Sequence, residues 1–379
     1  MRAHPILVAT FVLGACKFAE LPPVDEDGAS SDATGNGDGG DLDADNTDAR
    51  PPKVTAVAVG VDYAGAAVMG AIDVASKTLT PSLGTGQLAT DPIVRFLGDE
   101  VWVINRLTGG NVVAFDPDDW TVTFSGGTGA GTNPQDVAVV GNKLFVPALA
   151  TSGVRVLDRL VPGTIRSIDL SALDPDLQPD CVSAFAVGNT VVVTCGMLDG
   201  FTPRGNGMVV YIDAATETVT AMRALPVPNP LGQLRATPSG PPLAGDLLTA
   251  APDFGAAPND GCIVRIPTTP GAPSCVVTNT VLGGNPDVMA PSANGATIWL
   301  TVNGRMRGYD VLGATLAAPV GATNLVSLDA CPDDTIIVGE RPTTGGGVRL
   351  YRSDIEQTTA PLMLGKQPGY GNTISCFRR

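Results

Sequence analysis

Residues 133–158 read NPQDVAVVGNKLFVPALATSGVRVLD, and this stretch decides the fold class. Short runs of Val, Leu and Phe are broken here by turn residues such as Gly141-Asn142, which is typical of β-hairpins. With the residues that follow, the pattern predicts four strands, at 137–140, 143–147, 154–157 and 164–170. No long segment of the chain has a helical period, so we expect an all-β protein.

The same pattern recurs along the chain. An apolar residue followed by Asp ends the third strand of most repeats, at intervals of 42–55 residues when Pro267 and Arg352 are counted in the same slot. The recurrent aspartates are Asp73, Asp116, Asp158, Asp213 and Asp310. Their position before a turn indicates that they accept hydrogen bonds from turn amides rather than perform chemistry. Repeats of this length with four short strands are typical of β-propeller blades.

The two ends of the repeat region complement each other. The first repeat begins near Val54 without an innermost strand, and the chain ends with a spare copy of that strand at residues 372–377. We therefore predict a seven-bladed β-propeller of four-stranded blades, in which the C-terminal strand completes the first blade. A pair of packed β-sheets is the alternative, but it does not predict sevenfold recurrence.

The run from Asn133 to Val146, continued by residues 154–158, resembles the YVTN-type β-propeller repeats of bacterial surface proteins and related lipoproteins. The resemblance covers residues 54–379 and implies a β-propeller domain in an envelope lipoprotein. The Tyr-Val-Thr-Asn run itself is absent, and Pro267 and Arg352 depart from the repeat. No activity is implied, because propellers host enzymes, receptors and scaffolds alike.

Residues 1–15 have the layout of a signal peptide, with Arg2 followed by an apolar run at 6–13. Leu13-Gly14-Ala15-Cys16 resembles a bacterial lipobox, which implies cleavage before Cys16 and a diacylglyceryl group on its thiol. An ordinary secretory signal or a small transmembrane anchor is the alternative. We expect a lipid-anchored protein of the bacterial cell envelope. Lys17 is not the Asp associated with inner-membrane retention, which favours the outer membrane.

Residues 16–53 are predicted to form the lipidated cysteine and a disordered acidic tether. Ten acidic and two basic residues lie between positions 17 and 50, with almost nothing large and apolar to bury. Calcium binding by Asp41, Asp43, Asp45 and Asp48 is the alternative, but the Gly and Glu of an EF-hand loop are not in place. The net charge of −15 is spread over both parts of the chain, which argues against nucleic acid as a partner.

Six cysteines remain after Cys16, and an even number in an exported chain predicts disulfides. The residues are Cys181, Cys195, Cys262, Cys275, Cys331 and Cys376. Spacing favours 181–195 and 262–275 across local hairpins, which leaves 331–376 as a long-range pair that would lock the ring. Buried free thiols are the alternative.

Missing residue types restrict the chemistry. The only histidine, His4, lies in the predicted signal, which excludes a Ser-His-Asp triad and histidine-ligated zinc in the mature chain. We assign no catalytic residue, metal or cofactor and expect a binding or scaffolding module for an envelope protein or polysaccharide. The alternative is an exported carboxylate- or metal-dependent hydrolase or lactonase acting on a sugar-like substrate. An enzyme would gather Asp, Glu and Arg around a deep central pocket, whereas a scaffold would have a plugged or plain channel.

Two repeats are lengthened between their second and third strands, at residues 197–206 and 251–260. Loops at these positions share one face of a propeller with the linkers between blades, and exposed loops often carry function. The predicted binding-face residues are Asp199, Phe201, Arg204, Asp253 and Phe254 in the insertions, with Tyr63, Arg106 and Arg341 on the same face. Tolerated surface insertions are the alternative.

Overall fold

The structure is a computed structural model that describes residues 53–379 except 108, 254–260, 322 and 345. The predicted signal peptide, Cys16, the tether up to residue 52 and Phe254 lie outside the described residues. Seven four-stranded antiparallel sheets form a seven-bladed β-propeller, as predicted. Regular helix in the described part is confined to α1 (Asn279–Leu282) and a short 3-10 turn (Ser171–Leu173). No helix there is long and apolar enough to cross a membrane.

Strands are numbered β1 to β30 in chain order, and each blade is given from its innermost strand outwards. Blade 1 contains β30 (Ile374–Arg378), β1 (Val54–Gly60), β2 (Val68–Asp73) and β3 (Thr78–Leu83). Blade 2 contains β4 (Pro92–Leu97), β5 (Glu100–Asn105), β6 (Asn111–Phe115) and β7 (Val122–Gly127). Blade 3 contains β8 (Ala138–Val140), β9 (Lys143–Pro147), β10 (Gly153–Asp158) and β11 (Ile165–Asp169).

Blade 4 contains β12 (Cys181–Val187), β13 (Thr190–Cys195), β16 (Met208–Asp213) and β17 (Thr218–Ala224). Its insertion holds β14 (Leu198–Asp199) and β15 (Thr202–Pro203). Blade 5 contains β18 (Arg235–Ala236), β19 (Leu247–Ala251), β20 (Cys262–Ile266) and β21 (Ser274–Thr278). Blade 6 contains β22 (Pro286–Pro291), β23 (Thr297–Val302), β24 (Arg305–Asp310) and β25 (Thr315–Leu316). Blade 7 contains β26 (Leu325–Ala330), β27 (Thr335–Glu340), β28 (Gly347–Arg352) and β29 (Ile355–Glu356).

The core lies between neighbouring blades. Trp102 and Phe124 of blade 2, for example, pack in one cluster with Leu144 and Leu157 of blade 3. Inner strands such as β4 are buried along their whole length, whereas the outer strand β17 alternates exposed and half-buried residues. A four-stranded sheet buries both of its faces only against neighbours, so the blades must close into a ring.

The ring is closed by the C-terminal strand, as predicted. Strand β30 pairs antiparallel with β1, with Cys376 opposite Ala56. Phe377 of the same strand stacks on Phe96 of blade 2, with ring centroids 4.1 Å apart. The disulfide between Cys331 and Cys376 joins blades 7 and 1 across a Cα–Cα distance of 5.0 Å. One end of the chain is therefore paired, stacked and covalently linked at the seam.

The other two predicted disulfides are also present. Cys181 and Cys195 are opposite residues of β12 and β13, while Cys262 and Cys275 link β20 to β21. The recurrent aspartates cap turns, as expected from their position. Asp73, Asp116, Asp158, Asp213 and Asp310 each accept a backbone N–H two or three residues ahead, at 2.8–3.0 Å.

Candidate functional site

The two ends of the propeller carry different connections. The loop face carries the loops between second and third strands and the linkers between blades, and the turn face carries the remaining turns. Every binding-face candidate that the structure describes lies in a loop between a second and a third strand. These residues are Tyr63, Arg106, Asp199, Phe201, Arg204, Asp253 and Arg341. The loop face therefore brings them to one end of the ring, although their burial differs.

The insertion in blade 4 is a small β-hairpin. Strands β14 and β15 pair, and the Arg204 N–H donates to the Met197 carbonyl at 3.0 Å. Gly200 has φ 62°, a left-handed conformation that glycine adopts without strain in a tight turn. Phe201 follows in this turn and is 49% exposed. The segment that the sequence identified only as a loop therefore presents an aromatic ring on regular structure.

Ion pairs fix this hairpin to the body of the propeller. The Arg204 guanidinium contacts the carboxylates of Asp174 and Asp176, on the linker between blades 3 and 4, the latter at 3.1 Å. Asp199 lies 3.6 Å from the same guanidinium. Arg204 and Asp199 were predicted from the sequence, but the linker aspartates were not. Their signal was an Asp-Pro-Asp run at residues 174–176, which four residues separate from the inner strand β12. The hairpin and the linker form one connected unit.

A second contact adds a titratable group to this unit. The Leu198 N–H donates to the Asp180 carboxylate at 2.7 Å. Burial raises the pKa of Asp180 to about 6, the Leu198 hydrogen bond lowers it, and the charges of Asp176 and Asp174 raise it further. Folding therefore makes Asp180 easier to protonate than in the unfolded chain, although the carboxylate still predominates at neutral pH.

This raised pKa predicts a pH dependence of stability. Asp180 has an ordinary pKa of 3.8, so its contribution to stability is greatest below that pH and falls as the pH rises to about 6. At pH 7.5, Asp180→Asn should raise the free energy of unfolding, because it removes a carboxylate that burial destabilises. The expected gain is about 1 kcal/mol, because solvent screens this half-buried site. Asn also tolerates the φ of 51° at this position. Urea unfolding across the acid range checks this, and parallel pH profiles of the variant and the parent would contradict it.

At the seam, Arg341 lies between two tyrosines. Its guanidinium carbon is 5.2 Å from the ring centroids of both Tyr63 and Tyr370. The guanidinium also donates to the Pro368 carbonyl at 2.8 Å. Burial raises the pKa of Tyr63, so its hydroxyl stays protonated at neutral pH. Arg341 thus links blade 7 to blade 1. Because its guanidinium contacts two tyrosine rings of the propeller, little of it is left to contact a ligand.

Arg106 and Asp253, expected on the binding face, are buried. Arg106 is 1% exposed and pairs with Asp91 at 2.7 Å, and Asp253 is 8% exposed. The Asp253 N–H donates to the Asn285 side chain at 3.0 Å, which fixes the start of the second insertion. Arg106 holds its loop to a linker through its guanidinium, and Asp253 does so through its backbone N–H. Both side chains therefore lie in the packing of the loops and not on the exposed binding face that we expected.

The central axis holds a buried polar network that the sequence did not predict. Arg95 of blade 2 binds Asp136, which lies two residues before β8 of blade 3, through two contacts of 2.6 Å. Asp136 also accepts from Ser183 of blade 4 at 2.7 Å and from Gln233 of blade 5 at 3.0 Å. Blades that are not neighbours can meet only across the axis, so these side chains cross it. Burial raises the pKa of Asp136, and Arg95 opposes this effect.

A second ion pair continues this network. Arg235 of blade 5 contacts Asp329 of blade 7 at 2.6 Å, and both side chains are at most 3% exposed. Asp329 also accepts the Cys376 N–H of blade 1 at 2.8 Å. The axis therefore gathers Arg and Asp, but these residues are buried and bonded to one another. We call Arg95, Asp136, Arg235 and Asp329 the axial network.

A cavity of about 310 Å³ opens on the turn face, beside blades 2, 3 and 4. Phe185 and Arg95 line it, together with Glu100, whose carboxylate binds Arg159 at 2.6 and 2.8 Å. Burial acts to raise the pKa of Glu100, but Arg159 and Thr123 hold it below its usual value. Within the described ranges, no group of three or more His, Cys, Asp or Glu side chains is arranged to hold a metal ion.

Comparisons with known proteins identify the fold. No family model matches the chain, and no curated protein matches it in sequence. Among solved structures, hydrazine synthase of Kuenenia stuttgartiensis is 16% identical with a TM-score of 0.51, covering 76% of this chain and 90% of that chain. The Cps50 (Swd1) β-propeller domain of Myceliophteria thermophila is 12% identical with a TM-score of 0.58, covering 78% and 96%. Apo AztD of Citrobacter koseri is 13% identical with a TM-score of 0.51, covering 86% and 98%. At these identities the likeness shows the propeller fold alone.

Proposed function

We propose that this protein is an exported, lipid-anchored propeller of the bacterial envelope, of the YVTN-repeat type, that binds a partner through its loop face. The blade 4 hairpin carries the proposal. An insertion of this length can be accommodated without ion pairs to the rest of the protein, because loop-closure entropy grows slowly with length. Here Arg204 clamps the insertion, and Phe201 stands exposed at its turn. A rigid aromatic group loses little conformational entropy on binding and is suited to anchor a partner.

The axial network supports a binding role over catalysis at the axis. Its Arg and Asp side chains are buried and neutralise one another across the ring. Catalytic carboxylates need access to substrate and distinct protonation states. The exposed groups that remain on the loop face are suited to surface recognition of an envelope protein or polysaccharide.

The proposed location rests on two features. Three disulfides persist in oxidising compartments outside the cytoplasm. Leu13-Gly14-Ala15-Cys16 provides the lipobox-like site for anchoring at the outer membrane. Replacing Cys16 by Ser should abolish labelling with a radioactive fatty acid and release the protein from membrane fractions. Labelling that persists in this variant would contradict the anchor.

Shortening the hairpin tests the proposed binding function. Residues 197–206 would be replaced by the loop of blade 3, residues 148–152, in the full chain. We expect the folded variant to lose capture of envelope components. Its thermal unfolding midpoint should be lower than that of the parent, because the exchange also removes the buried Met197 and Leu198 and leaves Asp174 without Arg204. Leu160→Ser on the turn face is the matched control, since Leu160 is 72% exposed and remote from the hairpin. Unchanged capture by the folded variant would exclude this part of the loop face.

A further inference from the structure

Two exposed apolar side chains lie beside exposed carboxylates around the blade 4 hairpin. Phe201 occupies the turn of the hairpin, and Leu177, on the linker between blades 3 and 4, is 60% exposed. The Arg204 guanidinium joins the two segments by contacting Asp176, the neighbour of Leu177, at 3.1 Å. We call Asp176, Leu177, Asp199 and Phe201 the blade 4 patch.

Leu177 is held in a conformation that its side chain does not favour. Its φ is 67°, in the left-handed region where a leucine is strained. The Leu177 N–H donates to the Asp174 carbonyl at 2.9 Å, and the neighbouring Gln178 N–H donates to the Asp176 carboxylate at 2.9 Å. Exposing a large apolar side chain on strained backbone contributes nothing to folding, whereas it provides a contact for an apolar group of a partner.

The charge of the patch indicates the sign of the charge on that partner. Four carboxylates, of Asp174, Asp176, Asp180 and Asp199, surround the single guanidinium of Arg204. Asp199 has a 77% exposed side chain, and a backbone hydrogen bond from Gln178 holds the pKa of Asp176 below its usual range. Asp174 is buried, and its Oδ2 has no hydrogen-bond donor among the described residues. The surface is therefore negative around two apolar groups, which attracts cations and repels anionic lipid headgroups.

We propose that the blade 4 patch binds a basic, partly apolar segment of a partner protein. Lys or Arg side chains of the partner contact Asp176 and Asp199, and an apolar side chain packs against Leu177 and Phe201. Neutral sugars could stack on Phe201 but provide no cation for the two carboxylates, so the combination favours a protein segment. This inference rests on the proposed binding function of the loop face and names the class of its partner.

A peptide selection tests the inference on the full chain. The purified protein would be used to select from a display library of random peptides of about 12 residues, and the affinity of the best peptides would be measured at low and high salt. We expect peptides that combine Lys or Arg with Leu, Phe or Met, and affinity that falls as salt screens the charges. Asp176→Asn combined with Asp199→Asn should weaken binding about tenfold, and Phe201→Ala about 30-fold.

Leu177 has a matched control on the same face. Leu107 is also exposed, at 51%, and has a φ of 51°, but its loop lies in blade 2 outside the acidic cluster. Because Asn tolerates this backbone conformation, Leu177→Asn should weaken binding and Leu107→Asn should leave it unchanged. Selected peptides without basic residues, or equal effects of the two variants, would overturn the inference.

Two further probes separate this inference from the proposed function. Dextran and phosphatidylglycerol vesicles would be tested against the parent and the Phe201→Ala variant. Patch-dependent binding of either probe, without binding of basic peptides, would overturn the protein-segment inference while a loop-face binding function stands. The loop-face binding function is tested separately, by the capture of envelope components. Capture that is retained after the hairpin is shortened would reject a binding function for this region, whatever the peptides show.

Discussion

Replacing Arg95 by Met is expected to lower the free energy of unfolding by about 3–5 kcal/mol. The substitution leaves the Asp136 carboxylate buried at the axis without its cation, although Ser183 and Gln233 still donate to it. An uncompensated buried charge is costly because protein replaces water around it. Urea unfolding of the parent and the variant at neutral pH measures the difference.

An exposed ion pair provides the control for this prediction. Arg352 contacts Asp333 at 3.7 Å, and its side chain is 63% exposed. Arg352→Met removes the same charge and should change stability by about 0.5 kcal/mol, because surface ion pairs contribute little. Similar losses in the Arg95 and Arg352 variants would contradict the assignment of Arg95 to a buried axial network.

Removing the seam disulfide is the second change with a large expected effect. Cys331 and Cys376 are 45 residues apart, and the chain-entropy relation predicts a loss of about 4 kcal/mol for the double alanine variant. The loss should be localised, because β30 is then held by non-covalent contacts alone, among them pairing with β1, the Phe96–Phe377 stack and the Asp329 contact. Hydrogen exchange of Ile374–Arg378 should accelerate.

The disulfide within blade 4 serves as the comparison. Cys181 and Cys195 are 14 residues apart and join strands of one sheet, so their removal should lower stability by about 3 kcal/mol without opening the seam. Exchange at β30 should therefore stay slow in the Cys181→Ala, Cys195→Ala variant. Equal acceleration in both variants, or none in the Cys331→Ala, Cys376→Ala variant, would show that the seam is not locked by its cysteines.

The blade architecture was predictable because its strands and turns are determined by residues close together in sequence. Each turn requires its own residues, and the strand pattern of residues 137–158 reappears in β8, β9 and β10 within one or two residues. Two of the disulfides followed from the same local geometry, since Cys181 and Cys195, for example, flank one turn symmetrically, and the third was the pair that remained. Closure was predictable because the spare strand at residues 372–377 had an obvious vacancy in the first blade.

The axial network and the ion pairs of Arg204 were not predictable, because the residues that contact one another are distant in sequence. Arg95 and Gln233 meet the same carboxylate from blades 2 and 5, and a one-dimensional repeat pattern does not state which polar residues cross the axis. The available signal was a charged residue inside an apolar inner strand, as at Arg95 in PIVRFL. Burial of Arg106 and Asp253 was equally hidden, since their partners Asp91 and Asn285 lie on linkers.

Site-specific photocrosslinking in envelope fractions tests the central claim, that the protein binds through its loop face. A photoreactive amino acid would be placed at position 201 on the blade 4 hairpin or at position 160 on the turn face, both exposed in the parent. Binding through the loop face predicts a discrete crosslinked product from position 201, competed by unmodified protein, and no such product from position 160. A competed product from position 160 with none from position 201 would contradict it.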